Sequence, residues 1–178
     1  YSAKVHSSSE NASLLIYACA LADFAAIDRD KFDIVAVTGN SMGWYLALAC
    51  ADALDPQGAA TLVNTMGTLM QEALIGGQLL YPYVDENWIE IPRKRNELMA
   101  LTDRISGLYL SINLGGMIVF AGTEKALKTC EQGLEPIQGK FPIRLHNHAA
   151  FHSPLQQPIS VIAKGIFSNP VAKFTGTV

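Results

Sequence analysis

Thr38-Gly39-Asn40-Ser41-Met42-Gly43 is the stretch that decides how this chain reads. Ahead of it, Ile34-Val35-Ala36-Val37 is a short β-branched run suited to a central parallel strand. Behind it, Trp44 to Ala53 holds neither Pro nor Gly, so the order predicted is strand, sharp turn, helix. A glycine two residues either side of a serine lets strand and helix cross closely. The serine is then held exposed in strained backbone over a helix N-terminus. Ser41 is therefore the candidate nucleophile. The five-residue pattern alone also describes an ordinary turn, because Gly and Ser are common turn residues. The flanking strand and helix favour the nucleophile.

Composition narrows the function classes. At 178 residues and 49% hydrophobic, the chain can bury one real core. A net charge of −3 argues against nucleic acid or an anionic membrane surface as partner. Three cysteines, Cys19, Cys50 and Cys130, are odd in number and form no C-x-x-C pair, which disfavours a disulfide framework or a zinc site and fits a reducing cytoplasm. The longest apolar stretch, Leu14 to Ala22, is about half of what a bilayer span requires. No targeting segment, repeat or low-complexity tract is evident.

Read in order, Tyr1 to Glu10 is polar, with Ser8 or Ser9 placed to cap a helix over Asn11 to Ile27 that is apolar nearly all round. Asp55-Pro56 supplies an N-cap and a first-turn proline for the next helix. Its apolar residues recur from Ala59 to Leu74 at three- and four-residue spacing until Gly76-Gly77. Residues 1–77 are thus one domain. Residues 78–145 change pattern: Gln78 to Val84 reads as a strand, Arg93 to Thr102 as a helix, and Leu108 to Asn113 with Met117 to Ala121 as strands about a Gly115-Gly116 turn. Lys125 to Gly133 is a second helix and Ile143 to Leu145 a last strand, giving a β-α-β-β-α-β, ferredoxin-like order inserted after the elbow's second helix. Alternation predicts burial of Leu108, Leu110 and Ile112, and of Met117, Val119 and Ala121. Residues 146–178 return to the first domain through a helix over Gln157 to Phe167 and, at Val171 to Val178, the beginning of a strand.

Three of the four histidines fall in Leu145-His146-Asn147-His148-Ala149-Ala150-Phe151-His152-Ser153-Pro154-Leu155. A serine nucleophile requires a base, and imidazole titrates in the right range, so one of these should serve Ser41. A polar strand end is the bland alternative. A metal site is disfavoured because the segment carries no carboxylate. His6 reads as an exposed N-terminal residue.

With these residues in place, the chain resembles the malonyl-CoA:acyl-carrier-protein transacylases and the acyltransferase domains of fatty-acid and polyketide synthases. The resemblance rests on Gly39-Asn40-Ser41-Met42-Gly43, on Gly67-Thr68-Leu69-Met70-Gln71-Glu72-Ala73, on Val119-Phe120-Ala121-Gly122 and on Ala150-Phe151-His152-Ser153-Pro154-Leu155, in family order across nearly the whole chain. It implies an α/β fold in which an α/β-hydrolase-like core, incomplete in this chain, carries the ferredoxin-like β-α-β-β-α-β subdomain. It implies that Ser41 attacks an acyl thioester, that His152 is its base with His148 in reserve, and that the Met42 N–H supplies half the oxyanion hole. No metal or bound cofactor is implied; acyl-CoA and the phosphopantetheine arm of an acyl carrier protein are the substrates. The rest of the same domain, an N-terminal strand with a Gly-Gln-Gly-rich loop and the last core strands, is expected outside these residues.

The departures from the family pattern bear on specificity. Asn40 stands where the family has His. Met66 stands where a helix Arg pairs with the malonyl carboxylate, and an apolar Met cannot replace a bidentate cation. A loop with Asn, Pro and Gln is shortened to Asn113 and the Gly115-Gly116 turn, and Phe151 resembles versions that take unbranched acyl groups. Asn40, Met66, Asn113 and Phe151 are the substrate-binding candidates. The expected activity is transfer of an acyl group from CoA to a carrier thiol through a serine ester. A serine hydrolase or thioesterase of the same fold, or a non-catalytic binding module, is the alternative.

Overall fold

A computed structural model describes residues 2–6, 8–137 and 139–168. The chain divides into two compact units, Tyr1–Glu72 with Ile162–Val178, and Ala73–Val161.

The first unit is helical among its described residues: α1 (Ala3–His6), α2 (Ser9–Ala25), α3 (Gly43–Cys50) and α4, which starts at Pro56 and runs to Ala73. Tyr17 of α2, Leu54, and Ala59 and Val63 of α4 are buried together, with Met42, Tyr45 and Leu46 packed against them. The Tyr17 hydroxyl donates to the Pro56 carbonyl at 2.8 Å, fastening α2 to the start of α4. Asp55 caps α4 as its position predicts, its Oδ1 accepting from the Gly58 N–H at 2.7 Å. Ser8 occupies the N-cap position of α2, but its hydroxyl donates to the Val5 carbonyl instead of capping. The predicted strand at Ile34–Val37 is not formed. A strand exists only through ladder hydrogen bonds, none of the described residues pairs with this run, and Val35 is 91% exposed.

The second unit has the predicted β-α-β-β-α-β order: β1 (Gly77–Pro82), α5 (Lys94–Arg104), β2 (Leu108–Asn113), β3 (Met117–Gly122), α6 (Glu124–Gln132) and β4 (Ile143–Leu145). The strands form one antiparallel sheet in the order β2-β3-β1-β4. Leu79 and Tyr81 of β1 pair directly with Phe120 and Ile118 of β3, so these four share a face. With Leu108 of β2 they bury against Leu98 of α5 and against Ala126, Leu127 and Cys130 of α6. Both helices therefore cover the same face. Thr123 starts α6 with a side-chain cap, its Oγ1 accepting from the Ala126 N–H.

Burial follows the expected alternation in part. In β3, Val119 and Ala121 are buried as expected and Met117 is only partly buried, while Ile118 and Phe120 are buried as well, on the opposite, helix-covered face. In β2 the alternation breaks after Leu110. Leu110 pairs with Phe120 and Ile112 with Val119, so Ser111 is the extra residue of a β-bulge, and Ile112 leaves the core that Leu108 and Leu110 share.

After β4 the chain passes through a 3-10 turn (Pro154–Gln156) into α7 (Gln157–Phe167). The strand expected at Val171–Val178 lies outside the described residues. None of the described helices is long and apolar enough to cross a membrane.

Candidate active site

Ser41 is exposed and its φ is +55°, a left-handed conformation that L residues avoid. The turn around it is closed by backbone bonds from Gly43 N to Asn40 O (2.8 Å) and from Trp44 N to Ser41 O (3.1 Å), and α3 begins at once at Gly43. Gly39 makes this crossing possible, because a Cβ there would lie 2.0 Å from the Gly43 carbonyl carbon and oxygen. Met42 occupies the N-cap of α3 with helical φ and ψ, its side chain reaching the first unit's core. Asn40 is exposed at the turn. Met66 is half-buried on α4, between the buried Val63 and Gly67. All of these residues belong to the first unit.

The histidine segment belongs to the second unit. His152 is exposed at φ +55°, the same strained region as Ser41. Its neighbours are held. The Ala150 N–H donates to the Ile75 carbonyl at 2.8 Å, the Ser153 hydroxyl to the Ala150 carbonyl at 2.6 Å, and the Gln156 side-chain amide to the Ile75 carbonyl at 3.2 Å. The Phe151 carbonyl accepts from the Ser111 hydroxyl at 2.8 Å, and the Phe151 ring lies tilted against His148, centroids 5.5 Å apart. His148 Nδ1 is 2.8 Å from Gln78 Oε1, and burial pushes the His148 pKa below its ordinary value.

Asn113 is tied to the hairpin: its Oδ1 accepts from the Tyr83 hydroxyl at 2.9 Å and from the Gly115 N–H at 3.3 Å, while the Tyr83 oxygen accepts from the Gly116 N–H at 2.7 Å. Gly115 and Gly116 take φ of +65° and +142°, as a two-glycine turn permits. Gln78 and Ser111 are residues the sequence reading passed over. Gln78 is 2% exposed, and a polar side chain in an otherwise apolar strand was the available signal. Among the described residues, no group of three or more His, Cys, Asp or Glu is arranged to hold a metal ion.

Over 152 residues, 85% of this chain, the sequence is 32% identical to the phenolphthiocerol synthesis polyketide synthase type I of Mycobacterium marinum, of which it covers 7%. It is 28% identical over 140 residues to the malonyl CoA-acyl carrier protein transacylase of Haemophilus influenzae, covering 75% of this chain and 43% of that one. The relatives are malonyl-CoA:acyl-carrier-protein transacylases and polyketide synthase acyltransferases. Their α/β fold is shared. The malonyl-CoA:acyl carrier protein transacylase of Helicobacter pylori superposes with a TM-score of 0.76 at 22% identity, over 94% of this chain and 54% of that chain. The acyltransferase domain from the second module of the salinomycin polyketide synthase superposes with a TM-score of 0.75 at 22% identity, over 95% and 38%. No family profile matches the chain. The chain spans less than half the length of the Haemophilus transacylase it matches.

Proposed function

We propose that this chain carries the nucleophile and base of an acyltransferase that moves an acyl group from CoA to the thiol of an acyl carrier protein through an ester on Ser41. The observation that carries the reading is the backbone of Ser41: exposed, left-handed, two residues before α3, and dependent on the Gly39 crossing. Non-glycine residues are held there at a cost of about 1–3 kcal/mol, and such strain concentrates at functional sites.

In the first half-reaction His152 takes the Ser41 hydroxyl proton as Oγ attacks the thioester carbonyl, and the Met42 N–H donates to the oxyanion. The C–S bond then breaks and the CoA sulfur leaves with the proton from His152. In the second, His152 takes the proton of the phosphopantetheine thiol, the sulfur attacks the ester, and the proton returns to Ser41 Oγ. No bound cofactor enters either half. By the family resemblance Asn40, Met66, Asn113 and Phe151 are assigned to binding the acyl group, Asn113 offering its amide nitrogen since its oxygen is engaged with Tyr83.

The reading extends to the domains: residues 1–77 as part of an α/β-hydrolase-like core, 78–145 as a ferredoxin-like insertion, 146–178 returning to the core, and a cytoplasmic location. A solved relative is a polyketide acyl-carrier protein in complex with its malonyl-transacylase, which supports a carrier protein as the acceptor here. Intact mass after incubation with a panel of acyl-CoAs tests the proposal. One acyl increment is expected in the unmodified chain and none in Ser41→Ala; an increment retained in Ser41→Ala would remove Ser41 from the mechanism.

A further inference from the structure

Four groups of the second unit form one continuous hydrogen-bonded line: His148 Nδ1 to Gln78 Oε1 (2.8 Å), Gln78 Nε2 to Ser111 Oγ (2.7 Å), and Ser111 Oγ to the Phe151 carbonyl (2.8 Å). Proton bookkeeping leaves a single assignment. The Phe151 carbonyl only accepts, so the one hydroxyl proton of Ser111 must point at it. Ser111 Oγ must then accept from Gln78, which puts the amide NH2 on that side. The Gln78 oxygen therefore faces His148, and His148 must carry its proton on Nδ1. Turning the amide over would set the Ser111 and Phe151 oxygens 2.8 Å apart with no proton between them.

We propose that Gln78 is a positioning residue: through Ser111 it holds the Phe151 carbonyl, one peptide before the left-handed His152, and it fixes His148 as the Nδ1–H tautomer with Nε2 as the lone-pair nitrogen. Gln78 is 2% exposed and sits in the strand at the centre of the sheet with β3 and β4 on either side, so it moves little. Ser111 reaches this line because it is the unpaired residue of the β2 bulge, and re-aiming a side chain is what a bulge does. Burial keeps His148 neutral near physiological pH, the state in which a tautomer is defined. The role assigned to the Phe151 anchor rests on the reading that His152 is the base.

The test uses the 178-residue chain labelled with 15N. Long-range 1H–15N spectra, recorded above the pH at which imidazole titrates, distinguish the two ring nitrogens. The expected result is an Nδ1–H His148 in the unmodified chain, lost in Gln78→Leu and retained in Gln78→Glu, whose carboxylate still accepts from the ring. That same carboxylate draws the Ser111 proton away from Phe151. Acyl-Ser41 formation at saturating acyl-CoA is therefore expected to fall about tenfold in Gln78→Glu and in Ser111→Ala, with half-saturation changed by less than about twofold, and to recover in Ser111→Thr. An Nε2–H His148 in the unmodified chain, or acylation unchanged in both Gln78→Glu and Ser111→Ala, overturns the proposal. An unmodified chain that takes up no acyl group counts against the acyltransferase reading, while the tautomer is decided in the same sample.

Discussion

A Cβ built on Gly39 would stand 2.0 Å from the carbonyl carbon and oxygen of Gly43, whereas a Cβ built on Gly43 would meet nothing within 4 Å. The two glycines of the elbow are thus not equivalent. Gly39 is required because backbone cannot withdraw as a flexible side chain can. Gly43 opens α3, where alanine is the better helix former. Gly39→Ala is expected to lower unfolding free energy by about 2 kcal/mol or more, and Gly43→Ala to change it by less than about 0.5 kcal/mol. Denaturant unfolding of both variants measures the difference, and equal losses would contradict the close crossing.

The left-handed Ser41 makes a second prediction, which separates chemistry from strain. Ser41→Ala removes the hydroxyl but keeps the unfavourable φ. Ser41→Gly removes both. Neither variant should take an acyl group, yet Ser41→Gly should be the more stable of the two by about 1 kcal/mol, since left-handed backbone costs an L residue roughly that much. If Ser41→Ala proves as stable as Ser41→Gly in urea titrations, the elbow is not strained.

Several elements were legible in sequence because their signals are local. Gly115-Gly116 marks a two-residue turn, the Asp55-Pro56 pair opens a helix, and Gln157–Phe167 forms the helix its apolar spacing predicts. What was not legible depends on partners distant in the chain. Ile34–Val37 has strand composition but no ladder among the described residues. The bulge at Ser111 is a property of register against β3, not of any residue type. The Gln78 line joins positions 33, 40 and 70 residues apart. Ser41 and His152 are candidates from their motifs, whereas Gln78 offered only a polar side chain in an apolar strand, and its line through Ser111 to Phe151 is visible only in the structure.

Met66 carries the prediction about substrate. It is half-buried beside Val63 and Gly67 on α4, with no charge to offer a carboxylate. Arg93, Arg95, Arg104 and Arg144 are the other candidate cations; Arg144 pairs with Glu124 through Nη2, and its Nη1 is buried without a hydrogen-bond partner. A buried carboxylate left without a partner is costly, so uncharged acyl groups should be preferred over malonyl. Met66→Arg should move the ratio of kcat/KM toward malonyl-CoA by about 2 kcal/mol, or roughly thirtyfold, the worth of a desolvated charged pair. Competition among acetyl-, butyryl- and malonyl-CoA reads this directly. A preference for malonyl-CoA in the unmodified protein would mean that another cation anchors it.

His148 makes stability depend on pH with a definite sign. Burial lowers its pKa in the folded chain below the ordinary 6.5, so between the two values the unfolded chain holds the proton and the folded chain does not. Stability therefore rises with pH through that interval. The contribution is fully present above 6.5 and is lost as pH falls from there through the lower, folded-state value. Asp28, held below its usual 3.8 by the Lys31 side chain, titrates outside this window. Protonation would also turn Nε2 of His148 into a donor while leaving Nδ1–H on Gln78, so the Gln78 bond should survive acidification even as stability declines. Urea unfolding at about pH 7.5, 6.5 and 5.5 should show a decline confined to the step from 6.5 to 5.5, and His148→Gln should remove it. A decline of the same size in His148→Gln would assign the effect to another group.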